Sequence, residues 1–285
     1  MSATAPAGGF VRAFSRNRGA VAGLVVLGLV CVVSLLAPVL FPFSPWDMRG
    51  APFAPPGQEG FLLGSDSLGR DVAAGIAHGA SVSLLIGTVS TVAALAVGVT
   101  LGALAGYAGG FVDDAVTRFT ELFQTVPGFV LAVVFVAVFT PSLGSVVAAI
   151  AAVSWPPVTR VVRAEVMSLR GREFVQAAEV LGRSRASIVL RDILPNALSP
   201  ILVLGSLMVA GAILLESALS FLGLGDPNRM SWGYMIGAGR SVIRLAWWMS
   251  VFPGLAIFLT VLALNLVGDG LADALNPRLA RRRGA

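Results

Sequence analysis

Long uninterrupted apolar runs dominate this 285-residue chain and restrict what it can fold into. Each run has about the length, roughly 20 residues, that a helix needs to cross a hydrocarbon core about 30 Å thick. Hydrophobic residues make up 56% of the chain and charged residues only 12%, with a mean hydropathy of +0.86. A soluble globular domain does not have this composition. The sequence therefore predicts an all-α, polytopic membrane protein.

Six apolar segments are candidates for transmembrane helices, and polar or turn-forming stretches separate them. The predicted spans are 20–41, 82–105, 126–139, 145–158, 198–222 and 247–267. Trp155-Pro156-Pro157, near the end of the fourth span, predicts a kink in that helix.

These spans divide the chain into five parts. We expect a cytoplasmic N-terminal tail over 1–19, a first transmembrane helix over 20–41, an extracytoplasmic segment over 42–80, a five-helix core domain over 81–270 and a cytoplasmic tail over 271–285. The core domain includes a polar cytoplasmic loop over 160–197. In the extracytoplasmic segment, Leu68, Val72 and Ile76 recur every four residues, which predicts a helix lying on the membrane surface.

The orientation follows from the basic residues, because cytoplasmic loops retain positive charge. All 20 basic residues are arginines. With the N-terminus inside, fifteen fall on the inner side and five on the outer side. The five outer arginines are Arg49, Arg70, Arg229, Arg240 and Arg244. Both termini are thus expected in the cytoplasm, and the basic charge indicates membrane orientation rather than nucleic-acid binding.

The residue inventory argues against catalysis. The chain has no lysine, so it cannot form a Walker A loop and we expect it not to hydrolyse ATP itself. One histidine, His78, and one cysteine, Cys31, are too few for a Cys/His metal cluster. The sequence predicts no catalytic residue, no metal site and no bound cofactor.

Two features inside the spans carry further expectations. Gly98, Gly102 and Gly106 recur every fourth residue, and such a ridge without side chains predicts close helix packing in lipid. Glu216 is the one ionisable residue within a predicted span, and it lies near the outer end of the fifth. It could line a transport pathway, or it could form a hydrogen bond to a neighbouring helix, and we leave both interpretations open.

The polar stretch Arg172–Pro195 lies between two long apolar segments. Gly182 supplies a helix stop, Ser184 can cap a second short helix, and Pro195 suits the first turn of the next span. Phe174, Ala177, Ala178 and Leu181 fall at i, i+3, i+4 and i+7, so they share one face of a short amphipathic helix. With two small alanines on an exposed face, this helix is suited to docking another protein, although its periodicity fits an ordinary cytoplasmic loop of a membrane protein equally well.

The amino-acid sequence of this stretch resembles the EAA loop of ABC-importer permeases. Ala177-Ala178, then Gly182, then Asp192-Ile193-Leu194-Pro195 resemble its dipeptide/oligopeptide/nickel branch. Gln176 stands where the general signature has Glu, and Asp192 where this branch often has His. The resemblance assigns ATPase coupling to eight residues of the stretch. These are Glu173, Phe174, Ala177, Ala178, Leu181, Gly182, Arg183 and Arg185.

Four other stretches resemble the same family, in the expected order. They are 63–71 (LGSDSLGRD), 106–121 with Arg118 matching and Glu121 in place of Asp, 231–233 (SWG) and the closing segment up to Arg278. The resemblance implies the C-type inner-membrane permease subunit of such an importer, with the type I importer permease fold. It also implies a heterodimer with a second homologous permease, two cytoplasmic ATPase subunits that bind ATP and Mg, and an extracytoplasmic substrate-binding protein.

Peptides are the cargo that the resemblance favours, with a nickel chelate or another small solute as the alternative. A secondary transporter that works alone is a further alternative. It predicts more buried charge than the spans contain.

Overall fold

The computed structural model describes residues 7–275 of the chain. Within that range the protein is helical and contains no β-strand, although two isolated bridges pair Met48 with Arg70 and Ser65 with Asp71. The helices are α1 (Ala7–Arg16), α2 (Arg18–Leu40), α3 (Val72–Ala108), α4 (Gly110–Thr125), α5 (Gly128–Val138), α6 (Leu143–Arg170), α7 (Glu173–Val180), α8 (Arg185–Ile188), α9 (Leu194–Phe221), α10 (Trp232–Gly239) and α11 (Trp248–Leu275). A π-helical turn, Val189–Ile193, joins α8 to α9.

Five of these helical segments are long and apolar enough to cross a membrane. They are α2, α3, α6, the continuous run Arg185–Phe221 and α11. Helices α4 and α5 pass the same test only together, and they are bent by 81° relative to each other. The predicted all-α polytopic fold is confirmed, with six spans if the bent pair is counted as one.

The second span is much longer than the sequence predicted. Helix α3 runs without interruption over 37 residues, about 55 Å at 1.5 Å per residue. The surface helix predicted from Leu68, Val72 and Ile76 is not a separate element, because Val72 and Ile76 belong to α3 itself. Asp71 sets the start of α3, since its carboxylate accepts hydrogen bonds from the backbone N–H groups of Ala73 and Ala74.

Other helix ends also differ from the prediction. Helix α5 has only 11 residues, too few to cross a bilayer alone. Helix α6 continues through Pro156 and Pro157 to Arg170, so the first part of the expected loop over 160–197 is helical. Helix α11 likewise extends to Leu275, into the predicted C-terminal tail, whose remaining residues lie outside the described range.

Part of the expected N-terminal tail is also structured. Helix α1 packs against α11, where Phe14 lies beside Gly270. Asn17 then begins α2, because its side-chain oxygen accepts a hydrogen bond from the backbone N–H of Ala20. The Asn17 amide also donates to Asp273 of α11 at 3.2 Å. These contacts attach the start of α2 to the end of α11.

The segment between α2 and α3 folds as a cap over one end of the bundle. The Ser65 hydroxyl donates to the carbonyl of Ala51 and accepts from the N–H of Ala54, which closes the segment on itself. The Trp248 indole N–H donates to the Ser65 carbonyl at 3.0 Å and joins the cap to α11. We call this the α10 end of the bundle, and the opposite end the α7 end.

Helices α3 and α6 pack closely against each other along the glycine ridge of α3. A Cβ added at Gly102 would lie 2.7 Å from the Thr159 carbonyl oxygen and 2.8 Å from the Val162 Cβ. At Gly106 it would lie 2.7 Å from the Arg163 carbonyl oxygen, and Gly98 faces Val158 in the same way. The three glycines thus form a continuous surface on which the backbone of α6 lies.

We predict that Gly102→Ala destabilises the protein by about 1–3 kcal/mol, because the methyl group must push the two backbones apart. Gly211→Ala in α9 is the matched control, since nothing lies within 4 Å of the added Cβ there. The measurement is the midpoint of thermal unfolding of each variant in detergent. Equal midpoints for the two variants would contradict the proposed packing.

Candidate functional site

The connection between α6 and α9 is the most polar helical part of the α7 end. Helix α6 ends at Arg170, and α7, α8 and the π-helical turn follow with few residues between them. The chain therefore returns to the bundle through three short helical elements, and α9 continues the last of them. We call residues 172–193 the coupling segment.

Its local structure follows the sequence signals closely. Gly182 has φ +72°, in the left-handed region, and ends α7. The N–H of Arg183 donates to the Ala178 carbonyl, and the N–H of Gly182 donates to the Glu179 carbonyl. This pair of hydrogen bonds is the Schellman motif of helix C-termini. The Ser184 hydroxyl caps α8 by accepting from the Ser187 N–H at 3.3 Å. Pro195 lies in the first turn of α9.

An apolar cluster ties the coupling segment to the spanning helices. Val175 and Ala178 on α7 face inward, and Ala178 is only 5% exposed. Ile188 and Ile193 enter the same cluster from α8 and the π-helical turn. The other buried members are Ala103, Val158, Val162, Val166, Ala197 and Ile201. The segment is thus packed into α3, α6 and α9 as one body.

The burial of Ala178 corrects the predicted docking face. Phe174, Ala177 and Leu181 are exposed, with Leu181 at 79%, but Ala178 points into the cluster. Around the helix axis Ala178 lies about 40° from Phe174, on the side of buried Val175, so it stands at the margin of the stripe. The exposed face therefore consists of Phe174, Ala177 and Leu181, flanked by exposed Glu173.

Polar contacts hold the coupling segment in place at both ends. The Tyr107 hydroxyl of α3 donates to the Glu179 carboxylate at 3.1 Å. Arg183 forms an ion pair with Asp192 at 2.7 Å and also donates to the Ser187 hydroxyl. Arg183 is thus bonded within the segment rather than projecting as a free docking charge.

Arg185 is placed differently from Arg183. It is exposed and lines a largely apolar cleft of about 440 Å³ between α3 and the start of α9. Leu104, Val189 and Leu190 contribute to the same cleft. Arg185 thus faces α3 rather than the exposed stripe of α7.

Glu216 lies in a closed polar cluster in α9. It is 1% exposed, and its carboxylate accepts hydrogen bonds from the Ser220 and Ser231 hydroxyls, both at 2.7 Å. Ser217 lies 3.4 Å from the same carboxylate. Since Ser231 also caps α10 by accepting from the Tyr234 N–H, the geometry matches the interpretation of Glu216 as a link between helices.

The sequence pattern does not predict the positions of some residues in this region. Val175 is fully buried. The residues of α7 and its C-cap are apolar at 174, 175, 177, 178, 180 and 181, so the pattern does not single out one inward face. Asp113 of α4 pairs bidentately with Arg163 of α6, 50 residues away. Only the tertiary structure brings these two together. Within residues 7–275, no group of three or more His, Cys, Asp or Glu could hold a metal ion.

The long spanning helices and the packed, capped segment between α6 and α9 define a polytopic helical membrane protein. Comparison with protein families assigns this protein to a family. Residues 98–281 match the family of binding-protein-dependent transport system inner membrane components, and residues 6–56 match the N-terminal transmembrane domain of oligopeptide transport permease C. The chain belongs to the first of these families, the permeases of ABC importers.

Curated relatives agree over nearly the whole chain. The di/tripeptide transport system permease protein DppC of Pseudomonas aeruginosa is 41% identical over 277 residues, which cover 95% of this chain and 91% of that protein. The oligopeptide transport system permease protein OppC of Haemophilus influenzae is 38% identical, with 94% and 87% covered.

The fold agrees with a solved importer. An inward-facing structure of the MetNI methionine ABC transporter matches with a TM-score of 0.57 and 15% sequence identity, over 73% of this chain and 95% of that chain. This likeness concerns the fold alone. The expected importer permease fold is confirmed.

Membership of the family settles several expectations. The protein is a non-catalytic, multi-pass permease subunit of the bacterial inner membrane, and partner ATPases hydrolyse the ATP. The family also implies a permease partner and a substrate-binding protein in general terms.

We predict that Glu216→Ala destabilises the protein by about 1–3 kcal/mol, because it leaves the buried Ser220 and Ser231 hydroxyls without their acceptor. Glu216→Gln retains an acceptor oxygen and should lose less. Glu165→Ala, at a half-exposed position of α6, is the control. Thermal unfolding in detergent distinguishes them, and a Glu216→Ala variant as stable as the control would show that the cluster contributes nothing.

Proposed function

We propose that this chain is the C-type permease subunit of an ABC importer of di- or oligopeptides. It pairs with a second homologous permease and forms half of the translocation pathway. Two cytoplasmic ATPase subunits, which bind ATP and Mg, dock on its coupling segment, and an extracytoplasmic binding protein delivers the cargo. Both termini and the α7 end lie in the cytoplasm, as the arginine distribution indicates.

The observation that carries this proposal is the two-sided character of α7. Val175 and Ala178 fasten it to the core, while Phe174, Ala177 and Leu181 present apolar surface outward. Exposed apolar groups on a short polar segment outside the spans are typical of a protein–protein contact. Ala177, the smallest of the three, allows a partner surface to approach the backbone closely.

The mechanism follows from how the segment is joined to the spans. Because the coupling segment shares one apolar cluster with α3, α6 and α9, a displacement of α7 moves these helices together. The π-helical turn before α9 is a type of element that often occurs at functional sites. We infer that closure of the ATPase pair shifts the equilibrium between the inward- and outward-facing states. A partner can shift such an equilibrium only if it binds one of the two states more tightly than the other.

The relatives support peptide cargo. Those at 38–41% identity over most of the chain carry names that specify di/tripeptide or oligopeptide transport. No metal-binding group occurs within residues 7–275. A nickel chelate stays the alternative cargo, since a chelated ion needs no protein ligands.

Ala177→Asp should abolish co-purification of the ATPase subunits and reduce peptide uptake at least about tenfold, because a charge replaces small apolar surface at the contact, a loss of about 1.4 kcal/mol or more. The measurement is mass spectrometry of the complex isolated from the native membrane in mild detergent. Ala272→Asp, an exposed alanine of α11, is the matched control and should retain the complex.

Ala178→Asp should behave differently from Ala177→Asp. It buries a carboxylate in the apolar cluster, so it should lower the yield of folded protein rather than only detach the ATPase. Normal uptake by Ala177→Asp at normal expression would contradict docking on this face. A fully folded, uncoupled Ala178→Asp would instead reassign the contact to the inner side of α7.

Deleting the gene should remove uptake of a radiolabelled dipeptide and leave uptake of a nickel chelate unchanged. Peptide uptake should return with the wild-type gene. Loss of nickel-chelate uptake with dipeptide uptake unchanged would replace peptides by the alternative cargo.

A further inference from the structure

A polar cavity lies between α4 and α6, on the α7 side of the middle of α6. Its volume is about 320 Å³, within the range of about 300–1,000 Å³ common for small-molecule sites. Seven residues line it, and six of them are polar or charged. They are Val116, Thr117, Thr120, Glu121, Thr159, Arg160 and Arg163.

Two opposite charges in this cavity have no ion-pair partner among residues 7–275. The ion pairs among residues 7–275 are Asp66–Arg70, Asp113–Arg163 and Arg183–Asp192. Arg163 is therefore neutralised, whereas Glu121 and Arg160 are exposed and unpaired. One lies on each wall of the cavity, Glu121 on α4 and Arg160 on α6.

Their position makes contact with lipid unfavourable. Arg160 belongs to α6, a candidate span, and Glu121 to α4, which passes the span test only together with α5. Charged side chains on such helices, where they lie within the membrane, face a water-filled cavity or a polar partner. An aromatic cluster adjoins the cavity toward the α10 end. Trp155 stacks on Phe119 with ring centroids 5.6 Å apart and meets Phe123 edge-on at 5.1 Å. The cavity is thus bounded by rings on one side and is polar on the other.

The threonines add hydrogen-bonding capacity. The hydroxyls of Thr120 and Thr159 donate to the carbonyls of Val116 and Trp155, which leaves their oxygen lone pairs free to accept. A guest with a positive group, a negative group and N–H donors between them is complementary to this lining. A peptide with free termini has this composition.

We propose that this cavity is a peptide-binding vestibule at the cytoplasmic exit of the pathway, with Glu121 binding the peptide ammonium group and Arg160 its carboxylate. The proposal rests on the proposed function as a peptide importer, and it adds two cargo-contacting residues to it. The aromatic cluster of Phe119, Phe123 and Trp155 separates the vestibule from the α10 end.

The test is protection of a cysteine in the cavity. Cys31, exposed on α2, is first replaced by alanine, and Thr117→Cys then provides the only thiol. Inside-out vesicles carrying the assembled importer are labelled with a water-soluble maleimide, with and without a free dipeptide. The dipeptide should slow labelling, and an N-acetylated dipeptide amide should not. Val116→Cys serves where Thr117→Cys fails to assemble.

Glu121→Gln or Arg160→Gln should raise about tenfold the dipeptide concentration that half-protects the thiol, which corresponds to about 1.4 kcal/mol. The matched controls are Glu165→Gln on α6 and Arg18→Gln on α2, neither of which lines the cavity. They should leave that concentration unchanged.

The outcomes separate the two levels of the proposal. Labelling that ignores the dipeptide, in an importer whose cells take up the same dipeptide, overturns the vestibule and leaves the importer function standing. Equal protection by the blocked dipeptide also overturns it, because the charged termini then play no part. Cells with the wild-type chain that import no dipeptide overturn the proposed function, and the vestibule with it.

Discussion

The close approach of α3 and α6 is the contact on which the rest of the molecule depends. Gly98, Gly102 and Gly106 give α3 a face without side chains, and the backbone of α6 lies directly on it. The α6 valines that meet these glycines also belong to the cluster that buries Val175 and Ala178 of α7. In lipid the hydrophobic effect does not drive helices together, so this close packing must supply the attraction.

The coupling segment gains its rigidity from that same packing. A helix as short as α7 is not stable alone in water. Here two inward side chains, the Tyr107–Glu179 hydrogen bond and the Arg183–Asp192 ion pair fix it from different sides. A partner that presses on α7 therefore acts on the bundle rather than on a loose loop. The polar contacts also explain why Arg183 is not available for docking.

The sequence predicts helix ends and caps correctly where one residue type has one physical role. Gly182, Ser184 and Pro195 each act as the sequence indicated, because left-handed backbone, capping and a missing N–H are properties of single residues. The lengths of α3 and α6 differ more from the prediction. The predicted spans were too short, because α3 begins at Val72 in an apolar cluster with Met235 and Trp248, and α6 continues to Arg170 beside the coupling segment.

From its sequence alone the chain determines the polytopic helical class, the family motifs and the spacing of the glycine ridge, because length, apolar composition and period are properties of the chain itself. The tertiary structure decided which face of α7 is buried, that Glu216 is enclosed by serines, and that Glu121 and Arg160 line one cavity. Those facts depend on residues far apart in sequence meeting in space, and no local pattern encodes such a meeting.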